Sequence, residues 1–528
     1  MKKLIAAILI AGLLSAPVSS LAMPVEFSGG VRNEYEYEEI AFLSGVPIKF
    51  VGSCKVDITE SENSSSSKTN SKADKFDVVP EKPESGTSKT DKEKKPKKTV
   101  VYTFKLESAD PANPGKFDRQ MTYETVFSKN NVKGQTLAQT TVTKMKEIVT
   151  LGEDKYELKD YQFTKSDIID NRPASDFYSG NIKARKIYTI NKTEGKVTVD
   201  ISGGEVGYDN FWGSTGTQIL DYVVQYDRQD AGGDQSRRNE WIGTVRAQTS
   251  DSITKTIKYT ENEANFSSFD GGNIKLTNRE TISDIQIDLP AFKDGKVDGT
   301  NRNKSSFKLS KKMDPNIERL LLPKLRDTGG HWAEVDIEKL YSLGVYDENL
   351  QFFTPDIPMT RKEFVKAIMK SCNISSQLKA KPTSSRLKEP EVSPFDDVDT
   401  KGVEYPYIKE AVSMGIIYGT TENLFKPDLP LTRAEAVTVM IRALGFDNKA
   451  PTPGYKTNFD DDGAIPEWSK DCVYVAKEVG LVQGDDSNRF NPNSIMTRAE
   501  ASAMLSRFLQ FLQKDLQKDY RENIILFN

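Results

Sequence analysis

A chain of 528 residues is too long for one ordinary hydrophobic core, so two or more domains are expected. A mean hydropathy of −0.56 with 28% charged residues describes a polar, soluble chain, and a net charge of −4 leaves none of the basic excess that nucleic acid demands. Three scattered cysteines, Cys54, Cys372 and Cys472, cannot form a disulfide framework.

The chain opens with Lys2 and Lys3, an apolar run from Leu4 to Leu14, and small residues ending Ser20-Leu21-Ala22. That order is the layout of a secretory signal peptide over residues 1–22, with cleavage expected after Ala22. No cysteine follows the cleavage site, which argues against a lipid anchor. No later run reaches the roughly 20 apolar residues of a transmembrane helix. Residues 23–310 are expected as a β-rich domain, and from Met23 to about Leu289 they read as strands: Val197/Val199/Ile201, Tyr188/Ile190 and Ile285/Ile287/Leu289 alternate with polar neighbours. Turn residues punctuate them at Asn191-Lys192, Gly203-Gly204, Gly232-Gly233 and Gly271-Gly272. The expected fold is an all-β antiparallel domain, meandering or sandwich-like. Residues 135–149 are ambiguous, because Leu137, Val142, Met145 and Ile148 also sit near helical spacing. Residues 60–98, rich in Ser, Lys, Glu, Thr and Pro, bury too little to offset chain entropy and are expected as a disordered insert. A polar stretch, Phe292–Ser310, is expected to lead out of the strands and a helical turn near Pro315–Leu322 into the C-terminal third.

That C-terminal third repeats one phrase three times: Thr360-Arg-Lys-Glu363, Thr432-Arg-Ala-Glu435 and Thr497-Arg-Ala-Glu500. Each follows Phe-x-Pro in constant register, since 360−355 = 432−427 = 497−492 = 5. Upstream of each lies an apolar-periodic helix ending at Gly344, Gly415 or Gly480, and before that an acidic turn at Asp327, Asp396-Asp397 or Asp460-Asp461-Asp462. The repeats span 325–372, 395–446 and 459–508, with a helical tail over 509–528. Thr and Glu make a capping box, which explains both without any site. The arginine is not explained by capping: a cation is disfavoured at a helix start. Two readings stand for it. Together with free helix amides it makes an anion pocket, or it forms a salt bridge to the acidic turn.

The ordered set Phe-x-Asp, Trp-Ala, Gly, Phe-x-Pro and Thr-Arg-x-Glu, repeated at the end of an exported chain, resembles the S-layer homology domain family over about Leu325–Phe508. The resemblance implies a multidomain chain whose C-terminal part is an all-α, pseudo-threefold trimer of repeats. It implies grooves between repeats that bind secondary cell-wall polysaccharide, typically pyruvylated, and tether the protein to peptidoglycan, so that it is secreted to the cell wall or S-layer, with self-assembly there open. Carried over by motif, the ligand-binding residues are Arg361, Arg433 and Arg498, with Trp332 and Trp468 for the sugar face. The second repeat has Val403 at the tryptophan position, with Tyr405 nearby. The first has Leu325 in place of Phe395 and Phe459, and Asp347 in place of Gly419 and Gly484. One or two competent grooves are therefore expected rather than three.

No histidine precedes His331, so the strand region holds neither a Ser-His-Asp triad nor a His-ligated metal. No catalytic residue, metal or cofactor is expected, and the β domain is read as a structural, lattice or adhesive module. The alternative is a wall-tethered carbohydrate-active enzyme using a carboxylate pair in that domain. A third possibility, protein-partner binding, is favoured if all three arginines are spent in salt bridges.

Overall fold

The computed structural model describes residues 29–61, 95–130, 132–228, 239–260, 272–293, 296–321, 324–346, 351–374 and 392–516. The expected signal peptide, most of the 60–98 insert and most of the C-terminal tail lie outside them. Among the described residues one antiparallel sheet is built from β1 (Val31–Arg32), β2 (Tyr37–Ala41), β3 (Ile48–Ser61), β4 (Lys97–Ser108), β5 (Gly115–Asn130), β6 (Gln135–Leu151) and β7 (Asp154–Asn171). It continues through β8 (Asp176–Ile190), β9 (Gly195–Asn210), β10 (Gly213–Arg228), β11 (Asn239–Thr260), β12 (Gly272–Lys293), β13 (Lys296–Lys312) and β14 (Asn316–Arg319). Strands adjacent in the chain are adjacent in the sheet from β1 to β13, and β14 pairs with β12. The N-terminal region is thus an all-β meander.

Period-two patterning decides which face is inside. On β5, Phe117, Arg119, Met121 and Tyr123 are buried while Lys116, Asp118 and Gln120 are exposed. The sheet coils until its beginning meets its end: β1 lies against β12 and β13, and Lys311 bonds Glu36 and Glu38, each at 2.8 Å. Residues 135–149 are strand β6, and their near-helical spacing has a local cause. The pairing of β5 with β6 shifts register where Thr122 faces Lys144 and Tyr123 faces Val142, so Thr143 is extra. That bulge turns Val142 and Met145, three apart, toward the same core.

Two further expectations fail. The stretch expected to leave the strands is β13, and the expected helical turn contains β14. These are edge strands, held by ladder bonds to β12 with only Leu309 well buried, so hydrophobic patterning carries little signal. Gly203 and Gly204, read as a turn, lie inside β9; a Cβ on Gly203 would stand 2.0 Å from the Ile219 carbonyl oxygen. Asn191 and Lys192, with φ of 45° and 74°, do form the turn between β8 and β9.

Inside the sheet lies a buried ionic network. Arg119 donates two bonds of 2.8 Å to Glu39 and one of 2.8 Å to Glu147, which also accepts from Lys186 at 3.0 Å and from Tyr188 at 2.6 Å. Burial alone would raise the Glu147 pKa. The charges of Arg119 and Lys186 and the bonds they and Tyr188 donate outweigh it and bring the pKa down to about 2.

The C-terminal region is helical: α1 (Glu334–Ser342), α2 (Arg361–Ser371), α3 (Tyr405–Ser413), α4 (Arg433–Leu444), α5 (Glu467–Glu478) and α6 (Arg498–Gln510). A π-helical stretch, Phe511–Asp515, extends α6, and Leu509, Leu512 and Leu516 are buried there. The sheet docks on the C-terminal ends of these helices. Trp212, at the hairpin between β9 and β10, is buried in the helical core and donates through Nε1 to the Ser371 carbonyl at 2.9 Å. Ala174 N–H bonds the Ala443 carbonyl at 2.9 Å, and Asn273 bonds the Ser342 hydroxyl at 3.2 Å. The opposite ends of α2, α4 and α6 therefore point away from the sheet.

Trp212→Ala is expected to cost about 3–5 kcal/mol in chemical denaturation, because it empties part of the helical core. Trp212→Phe keeps most of the packing, loses the bond to Ser371, and should cost about 1 kcal/mol from that bond. The depressed Glu147 pKa gives an acid limb. Its stabilisation is complete above the ordinary glutamate pKa of about 4.3 and is lost as pH falls to about 2. Glu147→Gln should remove that limb in urea melts taken across pH, and should cost about 3–5 kcal/mol at neutral pH by stripping a counter-charge from Arg119 and Lys186.

Candidate functional site

Each repeat is built by the same short-range chemistry. Thr360, Thr432 and Thr497 cap α2, α4 and α6, and each threonine N–H bonds the glutamate three residues on at 2.9 Å, completing three capping boxes. Gly344, Gly415 and Gly480 end the first helices with φ of 69°, 71° and 75°. The acidic turns hold the Phe-x-Pro loops. Asp327 accepts from the amides of Phe353 and Thr354 at 2.8 and 2.6 Å, Asp397 from Phe425 and Lys426 at 2.9 and 2.7 Å, and Asp461 from Phe490 and Asn491 at 2.7 and 2.8 Å. In every repeat this bond pair clamps a residue with positive φ: 52° at Thr354, 56° at Lys426 and 56° at Asn491. Asp327, Asp397 and Asp461 are spent on these backbone amides, and among the described residues the acidic turns form no ion pair with Arg361, Arg433 or Arg498.

The repeats then close on one another in a ring. Leu431 N–H bonds the Met359 carbonyl at 2.8 Å, Met496 N–H that of Leu431 at 2.9 Å, and Met359 N–H that of Met496 at 3.0 Å. The first two amides of each second helix follow the same rotation. Arg361 and Lys362 donate to Leu429 and Pro427, Arg433 and Ala434 to Ser494 and Pro492, and Arg498 and Ala499 to Ile357 and Pro355, at 2.9–3.1 Å. With the capping threonine taking the third amide, these helix starts offer no free N–H group to an anion. That half of the anion-pocket expectation fails, because the neighbouring loop fills it. The arginine itself has a seam role: its Cζ lies 4.9 Å from the Phe425 ring centre for Arg361, 5.4 Å from Phe490 for Arg433 and 4.5 Å from Phe353 for Arg498.

The three guanidinium groups differ in what else they touch. Arg361 donates to the Phe425 carbonyl at 3.0 Å and is ion-paired with Glu435. Among the described residues Arg433 donates to the Gln483 carbonyl alone, at 3.0 Å, and Arg498 to the Thr354 hydroxyl alone, at 3.4 Å. Neither has a carboxylate ion pair among the described residues, and the Nε of each is buried without a hydrogen-bond partner. Burial, with Arg507 alongside, pushes the Arg433 guanidinium pKa below its ordinary value.

A groove of about 510 Å³ lies where Arg361 meets the second repeat, with Tyr418, Glu435 and Arg442 on its wall and Trp468 contributed by the third. Trp468 is 54% exposed and Trp332 is 64% exposed, so both rings stand outside the core. Rotation by one repeat sets Trp332 with Arg433 and Val403 with Arg498; Val403 is exposed, while Tyr405 is buried and does not replace a surface ring. His331 precedes α1 and accepts the Ala333 amide through Nδ1 at 3.2 Å. In the first repeat the rings of Tyr346 and Tyr341 pack on Phe353, at 5.1 and 5.8 Å, where Phe395 and Phe459 serve the other two. Asp347 lies outside the described residues.

A second basic row escaped the motif reading. Lys370, Arg442 and Arg507 each stand nine residues beyond the first arginine, since 370−361 = 442−433 = 507−498 = 9. That step is about two and a half helical turns, so on each second helix the two cations stand on opposite faces, and of the second row Arg442 lines the groove that also holds Arg361.

In the sheet, two carboxylate pairs are brought together around buried cations, Glu39 with Glu147 around Arg119 and Asp167 with Glu205 around Lys165, and the partly exposed Arg228 and Lys311 gather Asp154 with Glu194 and Glu36 with Glu38. The cavity beside Arg119 measures about 40 Å³, the scale of water rather than of a sugar ring.

The helical region is thus a closed ring of three alike helix pairs, with a groove where the first meets the second. Residues 394–437 and 458–502 match the family model described as S-layer homology domain, which takes in the second and third repeats. The first repeat shares their cap, clamp and ring contacts. Similar proteins include an exoglucanase XynX of Acetivibrio thermocellus, 31% identical over 35% of this chain and 16% of its own length. An S-layer protein of Bacillus thuringiensis subsp. finitimus is 26% identical over 34% of this chain and 20% of its own, and a surface-layer 125 kDa protein of Lysinibacillus sphaericus is 28% identical over 22% and 10%. The chain therefore aligns with a fifth or less of these relatives' lengths. It carries S-layer homology domains and is a secreted, cell-wall-associated surface protein.

Thr432→Ala should lower stability by about 1 kcal/mol, and Asp397→Ala by about 1–3 kcal/mol, because it leaves two loop amides unpaired. Thermal melts of the two variants, compared with an exposed control such as Glu422→Ala, check the order.

Proposed function

We propose that the three-repeat unit binds an anionic, pyruvylated secondary cell-wall polysaccharide in the grooves between repeats, and so tethers the chain to peptidoglycan without a covalent bond. One observation carries this reading: Arg433 and Arg498 sit on phenylalanine rings with no carboxylate ion pair among the described residues. A ketal carboxylate supplies the missing counter-charge, and a guanidinium fork meets it with two parallel hydrogen bonds. The half-exposed Trp332 and Trp468 offer faces for the sugar ring. The arginine-bearing helix starts lie at the pole away from the sheet, so binding there leaves the sheet projecting from the wall. In this reading the β region is the displayed structural, lattice or adhesive module. The enzyme alternative rests on the carboxylate pairs of the sheet: Arg119 and Lys186 balance Glu39 and Glu147, whereas the single Lys165 leaves Asp167 and Glu205 with one negative charge in excess, and burial with Glu205 alongside raises the Asp167 pKa to about 6.

The full chain should co-sediment with purified sacculi and lose that binding once their secondary polymer is removed chemically. Arg433→Gln and Arg498→Gln should each weaken binding by about tenfold or more while costing only about 0.5–1 kcal/mol of stability through the lost ring contact. Equal binding to stripped sacculi excludes the polymer as ligand.

A further inference from the structure

We infer that the groove between the first and second repeats reads its acidic sugar through Arg442, on a floor made by Tyr418 and Trp468, and not through the motif arginine Arg361. This assignment rests on the polysaccharide reading above and specifies which cation serves that groove.

Arg361 is already occupied. Its Nε donates to the Phe425 carbonyl at 3.0 Å, and one terminal nitrogen is ion-paired with Glu435 Oε1. Glu435 is itself fixed, because its Oε2 accepts the Thr432 N–H of the capping box at 2.9 Å. An anion approaching Arg361 must therefore displace a carboxylate held in place by a helix cap. Arg442 poses no such obstacle. Its Cζ lies 4.7 Å from the Tyr418 ring centre, and no hydrogen bond or ion pair occupies its side chain among the described residues. Stacking uses the face of the guanidinium and leaves its five N–H donors in the plane, directed at whatever enters the same groove.

The rest of the groove suits a carboxylate on a sugar. Arg361, Tyr418, Glu435, Arg442 and Trp468 all line one space of about 510 Å³. The cations Arg361 and Arg442 against the single carboxylate of Glu435 leave one positive charge unbalanced among these residues. Tyr418 is 59% and Trp468 54% exposed, so two aromatic faces are available without rearrangement. Arg433, by contrast, has no ion pair among the described residues, although the charges of Arg507, Glu500, Asp485 and Asp461 all act on it. Of the two, it is Arg361 that is closed by a bonded carboxylate, Glu435. The helical half-turn between the two rows is what sets Arg442 on the opposite face of its helix from Arg433.

The test uses the full chain carrying Arg433→Gln, Arg498→Gln and Arg507→Gln, which leaves Arg361 and Arg442 as the arginines of the two basic rows. Retention on polymer-bearing sacculi is compared with retention on chemically stripped sacculi. Adding Arg442→Gln should lower the remaining polymer-dependent retention by at least about tenfold, with the melting temperature lowered by no more than the loss of one ring contact, that on Tyr418, explains. Arg442→Lys, which keeps the charge but not the planar fork, should fall between. Adding Arg361→Gln instead should reduce retention less than Arg442→Gln does. Polymer-dependent retention that survives Arg442→Gln, or that Arg361→Gln abolishes equally, overturns the assignment while leaving the polysaccharide reading intact. Equal retention of the parent chain on stripped sacculi overturns both.

Discussion

Everything in the helical region depends on a rotation of donors and acceptors among the three repeats. Each second helix gives its first two amides to the loop of the next repeat, and its arginine covers that loop's phenylalanine. No repeat satisfies the first two amides of its own second helix. The buried polar groups of one unit are completed only by the other two, so the module is cooperative by construction. The same contacts fix where the guanidinium groups stand, and the grooves are a by-product of closing the ring.

Most of this unit was legible in the sequence because its determinants are local. Capping boxes, left-handed glycines and the Phe-x-Pro register act within a few residues, and a threefold repetition multiplies a weak signal. The partner of each arginine was hidden, since Phe425, Phe490 and Phe353 belong to another repeat. Free helix amides were a reasonable expectation for an isolated helix and wrong for this one. The second basic row of Lys370, Arg442 and Arg507 was present at constant spacing, but its meaning requires knowing which helix faces border a groove.

The sheet was legible as to class and not as to extent. Alternation marked its central strands, where one face is apolar, and failed at β13 and β14, where an edge strand needs ladder bonds more than burial. A single extra residue at Thr143 was enough to make a strand look helical. The ionic network about Arg119 was invisible for another reason: its members come from β2, β5, β6 and β8, far apart in the chain. Buried charge inside a sheet of Tyr, Phe and Ile adds specificity to strand register, since a slip of one residue would turn a charged group to the wrong face without its partner.

Trp212 joins the two regions at a point remote in sequence from the peptide linking them. The indole is seated in the helical core and bonded to the end of α2, while the chain passes from β14 of the sheet to the first repeat through residues 320–333. Drag on the outer body of a walled cell is thus shared between a covalent tether and a plugged joint. The joint resists tilting as well as extension, so the sheet is held at a set attitude to its mooring instead of swinging from it.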